Sequence, residues 1–167
     1  MISVSEIIEK LNLQPHPEGG YFRELYRSDD VMNKSTLSDE FDGDRNYSTS
    51  IYYLLESKDF SAFHKINQDE IWHFYLGSTI ELHILSKTGD LKTIEIGNKV
   101  NKGELPQAIV PKHHWFAAKV KEPKTFALVG CTVSPGFDFK DFQLGSYQNL
   151  SKEFPKYKSL IKEFTRH

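Results

Sequence analysis

The chain has 167 residues, with 21 Lys and Arg against 23 Asp and Glu and a net charge of −2 when histidine is neutral. That length suits one domain with a sizeable core, and the near balance of charge leaves no basic field to attract phosphate backbones or anionic membranes. The lone Cys131 excludes an intrachain disulfide, the N-terminus lacks a basic stretch leading into an apolar signal segment, and no apolar run approaches the ~20 residues that span a bilayer, so a cytoplasmic protein with neither nucleic acid nor membrane as partner is expected.

Ser3 and Glu6 have the spacing of a capping box, and Val4, Ile7, Ile8 and Leu11 recur on one helical face, so the spacing predicts a short opening helix. Two prolines and two glycines in residues 14–20 stop it, and residues 21–27 read as a strand. Residues 28–45 are polar and acidic with hardly an apolar anchor; they read as a mobile connection, because their aspartates lack the ligand spacing of a calcium loop. From residue 47 onward short runs rich in Ile, Tyr, Phe, Val and Thr alternate with turn residues. They predict strands at 47–55, 61–65, 70–76, 79–85, 91–96, 107–110, 115–120 and 124–134, the last containing Cys131 as a buried residue. So many short strands point to a sandwich, jelly roll or barrel. Pro155 suits a helix first turn, and Tyr157, Leu160, Ile161 and Phe164 form the apolar stripe of a closing helix. The whole chain reads as a single domain, residues 1–167.

Three stretches carry a resemblance: Leu13-Gln14-Pro15-His16-Pro17-Glu18-Gly19-Gly20-Tyr21-Phe22-Arg23-Glu24, then Glu70-Ile71-Trp72-His73-Phe74-Tyr75-Leu76-Gly77, then the segment from Val129 through Pro135 and Gly136 to Phe139. In this order they resemble the signatures of an uncharacterised cupin group, cupin family five, over nearly the whole chain. The resemblance implies an all-β cupin double-stranded β-helix, a jelly-roll barrel with short N-terminal and C-terminal helices. It also implies a homodimer and a structural kinship with sugar-nucleotide 3,5-epimerases, germins and auxin-binding proteins. Within the general cupin pattern His64, Glu70, Gly77 and Pro111 stand in register, but Ile66 stands at the second histidine, His113 at a glycine and Phe116 at the last histidine. Two of the four usual ligands remain where a catalytic metal normally needs about three. No cofactor is therefore expected; a divalent metal, if bound, would be held by His64 and Glu70.

Glu70, Trp72, Phe74 and Leu76 share one strand face by the period-two rule. Turned into the barrel, that face sets a carboxyl among aromatic surface, where desolvation raises its pKa toward the range useful for proton transfer. Glu70 and His64 are accordingly the candidate catalytic pair; the alternative has Glu70 paired with Arg23 or a lysine and His64 as a wall residue. Candidate ligand contacts are Tyr21 and Arg23, the latter as a fixed cation, Ser50 and Tyr52 as hydroxyls, and Trp72, Phe74 and Phe116 as apolar wall. Thr49, Ile51 and Tyr53 read as the opposing core face, an assignment that can be reversed. His16, between prolines, reads as a turn hydrogen-bonder. The functional reading is a small-molecule-binding protein acting as a metal-independent isomerase or epimerase of a sugar-like or other small carbonyl compound. A non-catalytic binding module and a metal-dependent cupin enzyme are the alternatives.

Overall fold

The capping box forms as the spacing predicts: the Ser3 hydroxyl accepts the Glu6 amide at 3.2 Å, and the Glu6 carboxylate accepts the Ser3 amide at 2.7 Å, opening helix α1 (Val4–Leu11). The computed structural model describes residues 2–166. Asn12, in a left-handed conformation with φ of 51°, returns its amide to the last-turn carbonyls and ends the helix before the prolines.

Thirteen strands follow: β1 (Gln14–Pro15), β2 (Tyr21–Arg27), β3 (Val31–Met32), β4 (Arg45–Asn46), β5 (Thr49–Glu56), β6 (Phe60–Lys65), β7 (Asp69–Gly77), β8 (Ile80–Leu85), β9 (Leu91–Ile96), β10 (Gln107–Val110), β11 (Trp115–Val120), β12 (Phe126–Ser134) and β13 (Gln143–Leu144). They assemble into a six-stranded sheet in the order β1-β2-β5-β12-β7-β10, a five-stranded sheet in the order β13-β6-β11-β8-β9, and the small pair β3-β4. Neighbours in the two large sheets run antiparallel. Face to face, these sheets make the cupin jelly roll.

The apolar periodicity divides the core into layers. Tyr53, Trp72, Leu82, Phe116 and Val129 pack between the two sheets. Ile7 and Leu13 from the N-terminal segment cover Leu54 and Leu128 on the outside of the six-stranded sheet. Helices α2 (Tyr147–Glu153) and α3 (Lys158–Glu163) cover the outside of the five-stranded sheet, where Leu150, Phe154, Ile161 and Phe164 meet Phe63, Leu85 and Trp115. The closing helix is thus two: Pro155 opens a single 3-10 turn between them rather than a continuous first turn. Among the described residues no helix is long and apolar enough to cross a membrane.

Residues 28–45 depart from the expected mobile connection. Arg45 is buried and makes a two-pronged pair with Asp141, at 2.8 and 2.7 Å, and Gln68 donates to the same carboxylate at 2.7 Å. Phe41 is buried beneath the Arg45 guanidinium. One arginine and one phenylalanine anchor an otherwise polar segment, a density of anchors too low for a composition-based reading to register. The network fastens the segment to residues 136–142, which supply part of the candidate site.

Candidate functional site

One end of the space between the sheets is not filled. There a cavity of about 290 Å³ is lined by His64, Ile66 and Glu70, by Thr49, Ile51 and Tyr53 of β5, by Phe22, Glu24 and Arg27 of β2, by Cys131 and Val133 of β12, and by rings from residues 137–142. The turn between β1 and β2 closes it with His16 and Glu18. Exposed Glu24, Arg27 and Phe139 form the rim, and buried Glu18, Tyr53, His64, Glu70 and Cys131 form the base.

Two bulges decide which side chains reach it. On β2, Glu24 opposes Ile51 and Tyr26 opposes Ser50, so Leu25 is an extra residue and Arg27 joins Phe22 and Glu24 on the inner face. On β6, Phe116 opposes His64 while Ala118 opposes Ser61, so His64 and Ser61 share the inner face at an odd spacing. Both then reach one carboxylate: Ser61 Oγ donates to Glu18 Oε1 at 2.9 Å, and His64 Nε2 lies 2.9 Å from Glu18 Oε2. Glu18 is presented by a turn that only glycine can make. Gly19 and Gly20 have φ of 118° and 70°, and a Cβ at Gly19 would stand 2.1 Å from the Phe60 carbonyl oxygen. Gly19→Ala is expected to cost more than about 1 kcal/mol, read as a lowered urea midpoint; an unchanged midpoint would show the turn tolerates a side chain.

The His64 ring donates from both nitrogens. Its Nδ1 faces the Ala62 carbonyl oxygen at 2.7 Å while Nε2 faces Glu18, so two acceptors flank the ring and favour the imidazolium. Burial opposes that charge, but Glu18 outweighs it and raises the His64 pKa. Burial likewise pushes Glu18 upward, and the charge and hydrogen bond of His64, with the Ser61 hydroxyl, overcome it and hold the carboxyl at about 2. Glu70 is different. It is buried, opens on the cavity and joins no ion pair among the described residues; its polar neighbours are the Cys131 thiol and the Trp72 indole. Burial pushes its pKa to about 7, with Glu18 acting in the same direction and His64 in the opposite one. Cys131 also lines the cavity, and burial with the neighbouring Glu70 charge pushes its thiol well up, which keeps it protonated and a poor nucleophile.

Of the candidate catalytic and ligand-binding residues, the structure brings His64 and Glu70 to the cavity and leaves Tyr21, Arg23, Ser50, Tyr52, Trp72, Phe74 and Phe116 out of its lining. Tyr21 and Arg23 lie on the outer face of β2, and Arg23 donates to the Leu11 carbonyl at 3.2 Å, binding α1 rather than a ligand. Ser50 and Tyr52 also face outward, Ser50 beside Thr132 and Tyr52 edge-on to Tyr75, so the β5 faces are reversed and Thr49, Ile51 and Tyr53 line the cavity. Trp72 and Phe116 do point inward, but they are core: Trp72 packs at 5.8 Å from Tyr53 and 6.4 Å from Phe116, and Phe74 packs against that same cluster. His73 faces outward as its odd spacing requires, near Thr132 and Gln107. His16 makes the expected turn bonds through its backbone, yet its ring also lines the cavity, 4.6 Å from Phe22. Glu18, Glu24, Arg27 and the rings of Phe139 and Phe142 were missed. The available signal for Glu18 was its place in a turn stiffened by two prolines and two glycines.

The donors for a cupin metal do not fit. Ile66 and Phe116 stand at two of the four ligand positions, with the Phe116 ring 4.0 Å from that of His64, and both His64 nitrogens are already committed. Among the described residues no group of three or more His, Cys, Asp or Glu side chains is arranged to hold a metal ion.

A jelly-roll barrel with one partly enclosed pocket, lined by an acid and aromatic rings, defines a small-molecule-binding class of fold. Residues 5–145 match the family described as Cupin superfamily (DUF985), and the chain belongs to that family. An uncharacterised protein of Saccharomyces cerevisiae is 32% identical over 148 residues, covering 83% of this chain and 73% of that protein. A solved structure from Shewanella oneidensis superposes with a TM-score of 0.90 at 36% identity, covering 99% of both chains. A hypothetical protein from Leishmania major gives 0.91 at 29% identity, covering 99% of this chain and 100% of that one.

Proposed function

We propose that the cavity binds a small molecule and that Glu70 moves a proton on it, without a metal, as in the isomerisation of a small carbonyl compound. The observation that carries this reading is the buried Glu70 carboxyl, in no ion pair among the described residues, whose pKa near 7 lets it both take and return a proton at neutral pH. His64 and Glu18 are positioning groups in this reading: their fixed charges bear on Glu70, and neither has a proton site left free for substrate. One free acid–base group suits transfer between adjacent carbons on one face, whereas a two-base epimerisation needs a second group on the opposite face. Isomerisation is therefore the better-supported half of the isomerase or epimerase reading.

The test is solvent-deuterium wash-in. Unphosphorylated hydroxyketones and aldoses are incubated with the protein in heavy water and followed by proton NMR. Exchange beside the carbonyl is expected with the native protein and a loss of at least about a hundredfold in Glu70→Gln, the lower range for a general base. Equal exchange in the variant would remove Glu70 from the role. Saturable binding without exchange would favour the second reading, a non-catalytic binding module, to which the commitment of both His64 nitrogens lends support.

A further inference from the structure

We infer that the ligand of this cavity carries an organic ammonium group, held at the rim by Asp138 and the rings of Phe137, Phe139 and Phe142 while the rest of the molecule reaches Glu70. This rests on reading the cavity as a binding site and adds the class of compound it takes.

Charge balance is the first argument. Four carboxyl groups line the cavity, Glu18, Glu24, Glu70 and Asp138, and even without Glu70 they outnumber the cations Arg27 and His64. Burial outweighs the neighbouring Glu18 charge and lowers the pKa of His16, so that ring adds little positive charge at neutral pH. Both cations are largely committed to groups of the protein. Arg27 spends two N–H groups on the Glu24 carboxylate at 2.8 Å each, one on Asn46 at 2.7 Å and one on the Phe137 carbonyl at 2.9 Å, leaving one of its five. His64 donates to Glu18 and Ala62. A phosphate or carboxylate would enter a negative cavity and find a single guanidinium N–H, so anionic ligands are poor candidates here.

The second argument is the rim itself. The Phe137 and Phe139 ring centroids lie 5.0 Å apart, and Phe142 is 6.5 and 6.0 Å from them. Ring faces attract a cation most strongly where water is partly excluded. Asp138 lies between Phe137 and Phe139 on the cavity lining and, among the described residues, its side chain accepts the Lys140 amide alone, at 2.9 Å through Oδ1, with the Arg27 and Arg45 guanidiniums near enough to interact with its charge. Deeper in, Glu70 supplies a second carboxyl in no ion pair among the described residues, more than nine-tenths buried and opening on the same cavity beside the Cys131 thiol. Facing Glu70 are His64 from β6, Cys131 from β12 and Glu18 from the β1–β2 turn, so a cationic ligand also favours its ionised form.

The experiment is titration calorimetry with three probes of one shape: benzylamine, benzyl alcohol and benzoate, at millimolar concentration and low salt. Benzylamine is expected to bind about tenfold more tightly than benzyl alcohol, with benzoate weakest, and the preference shrinks as salt is added. Asp138→Asn, which keeps the cap on Lys140, should cut benzylamine affinity several-fold and leave benzyl alcohol unchanged. Equal affinity for amine and alcohol, preference for benzoate, absence of binding by all three, or an unchanged preference in Asp138→Asn overturns the inference. Deuterium exchange on a carbonyl compound by a protein with no amine preference would remove this inference and keep the proton-transfer reading. Amine preference without exchange on any substrate would do the reverse.

Discussion

Glu70→Gln is expected to stabilise the protein at pH 8 by about 3 kcal/mol and to leave its stability nearly unchanged at pH 4.5. The carboxyl has an ordinary value of 4.5 and a folded value of about 7. Below 4.5 it is neutral in both states and contributes no difference. Between 4.5 and 7 the unfolded chain releases a proton that the folded chain keeps, so stability falls as pH rises, and above 7 the full cost of burying the charge is present. Glutamine has no such charge. For a domain of this size the gain corresponds to a rise of about 6–12 °C in melting temperature at pH 8. Urea midpoints of both proteins across pH 4.5–8 check it; a difference that does not grow with pH would show that Glu70 titrates as an ordinary carboxylate. A residue that destabilises the fold it sits in has the profile of a functional group.

His64→Ala is expected to work in the opposite direction, costing about 3 kcal/mol or more near pH 6, because it leaves the Glu18 carboxylate buried with the Ser61 hydroxyl and the His16 ring, 3.5 Å away, as its remaining side-chain partners. Two ionisations set the pH window. Glu18, held at about 2, contributes stability that is present above 4.5 and lost as pH falls toward 2. His64, with its pKa raised above 6.5, contributes stability that is full below 6.5 and lost as pH rises through its folded value. The pair therefore matters most between about pH 4.5 and 6.5, and the loss in His64→Ala should shrink on either side. The double variant Glu18→Gln with His64→Ala should recover part of the stability, since the stranded charge is gone. A pH-independent loss below about 1 kcal/mol, or a double variant worse than the sum of the singles, would contradict a buried ion pair.

The β character, the two terminal helical regions and the positions of most strands were legible because burial on one face imposes a period of two or 3.6 on the apolar residues. The N-terminal cap was legible atom for atom, since Ser3 and Glu6 satisfy each other within one turn. The candidate site was harder. His64 and Glu70 came from their register in a family pattern, and both line the cavity. Arg23, Tyr21, Ser50 and Tyr52 were assigned by alternation, which carries no information about bulges. One extra residue at Leu25 is what brings Arg27 rather than Arg23 beside Glu24 on the inner face. Trp72, Phe74 and Phe116 fail for a different reason: alternation gives the face of a strand but not the depth along the barrel. The layer containing Trp72 and Phe116 is packed core, and the open layer lies at the Glu70 end.

By itself, then, the sequence determined the fold class, the family, the cap of α1 and the acid that opens on the cavity, because each depends on local chemistry, on apolar periodicity or on motif spacing. Tertiary structure decided the rest. The Glu18–His64 pair joins residues 46 positions apart, and Arg45 finds Asp141 across 96 positions. Such contacts follow from bulges, turns and the closing of one sheet on another, which act between segments and leave no period along the chain.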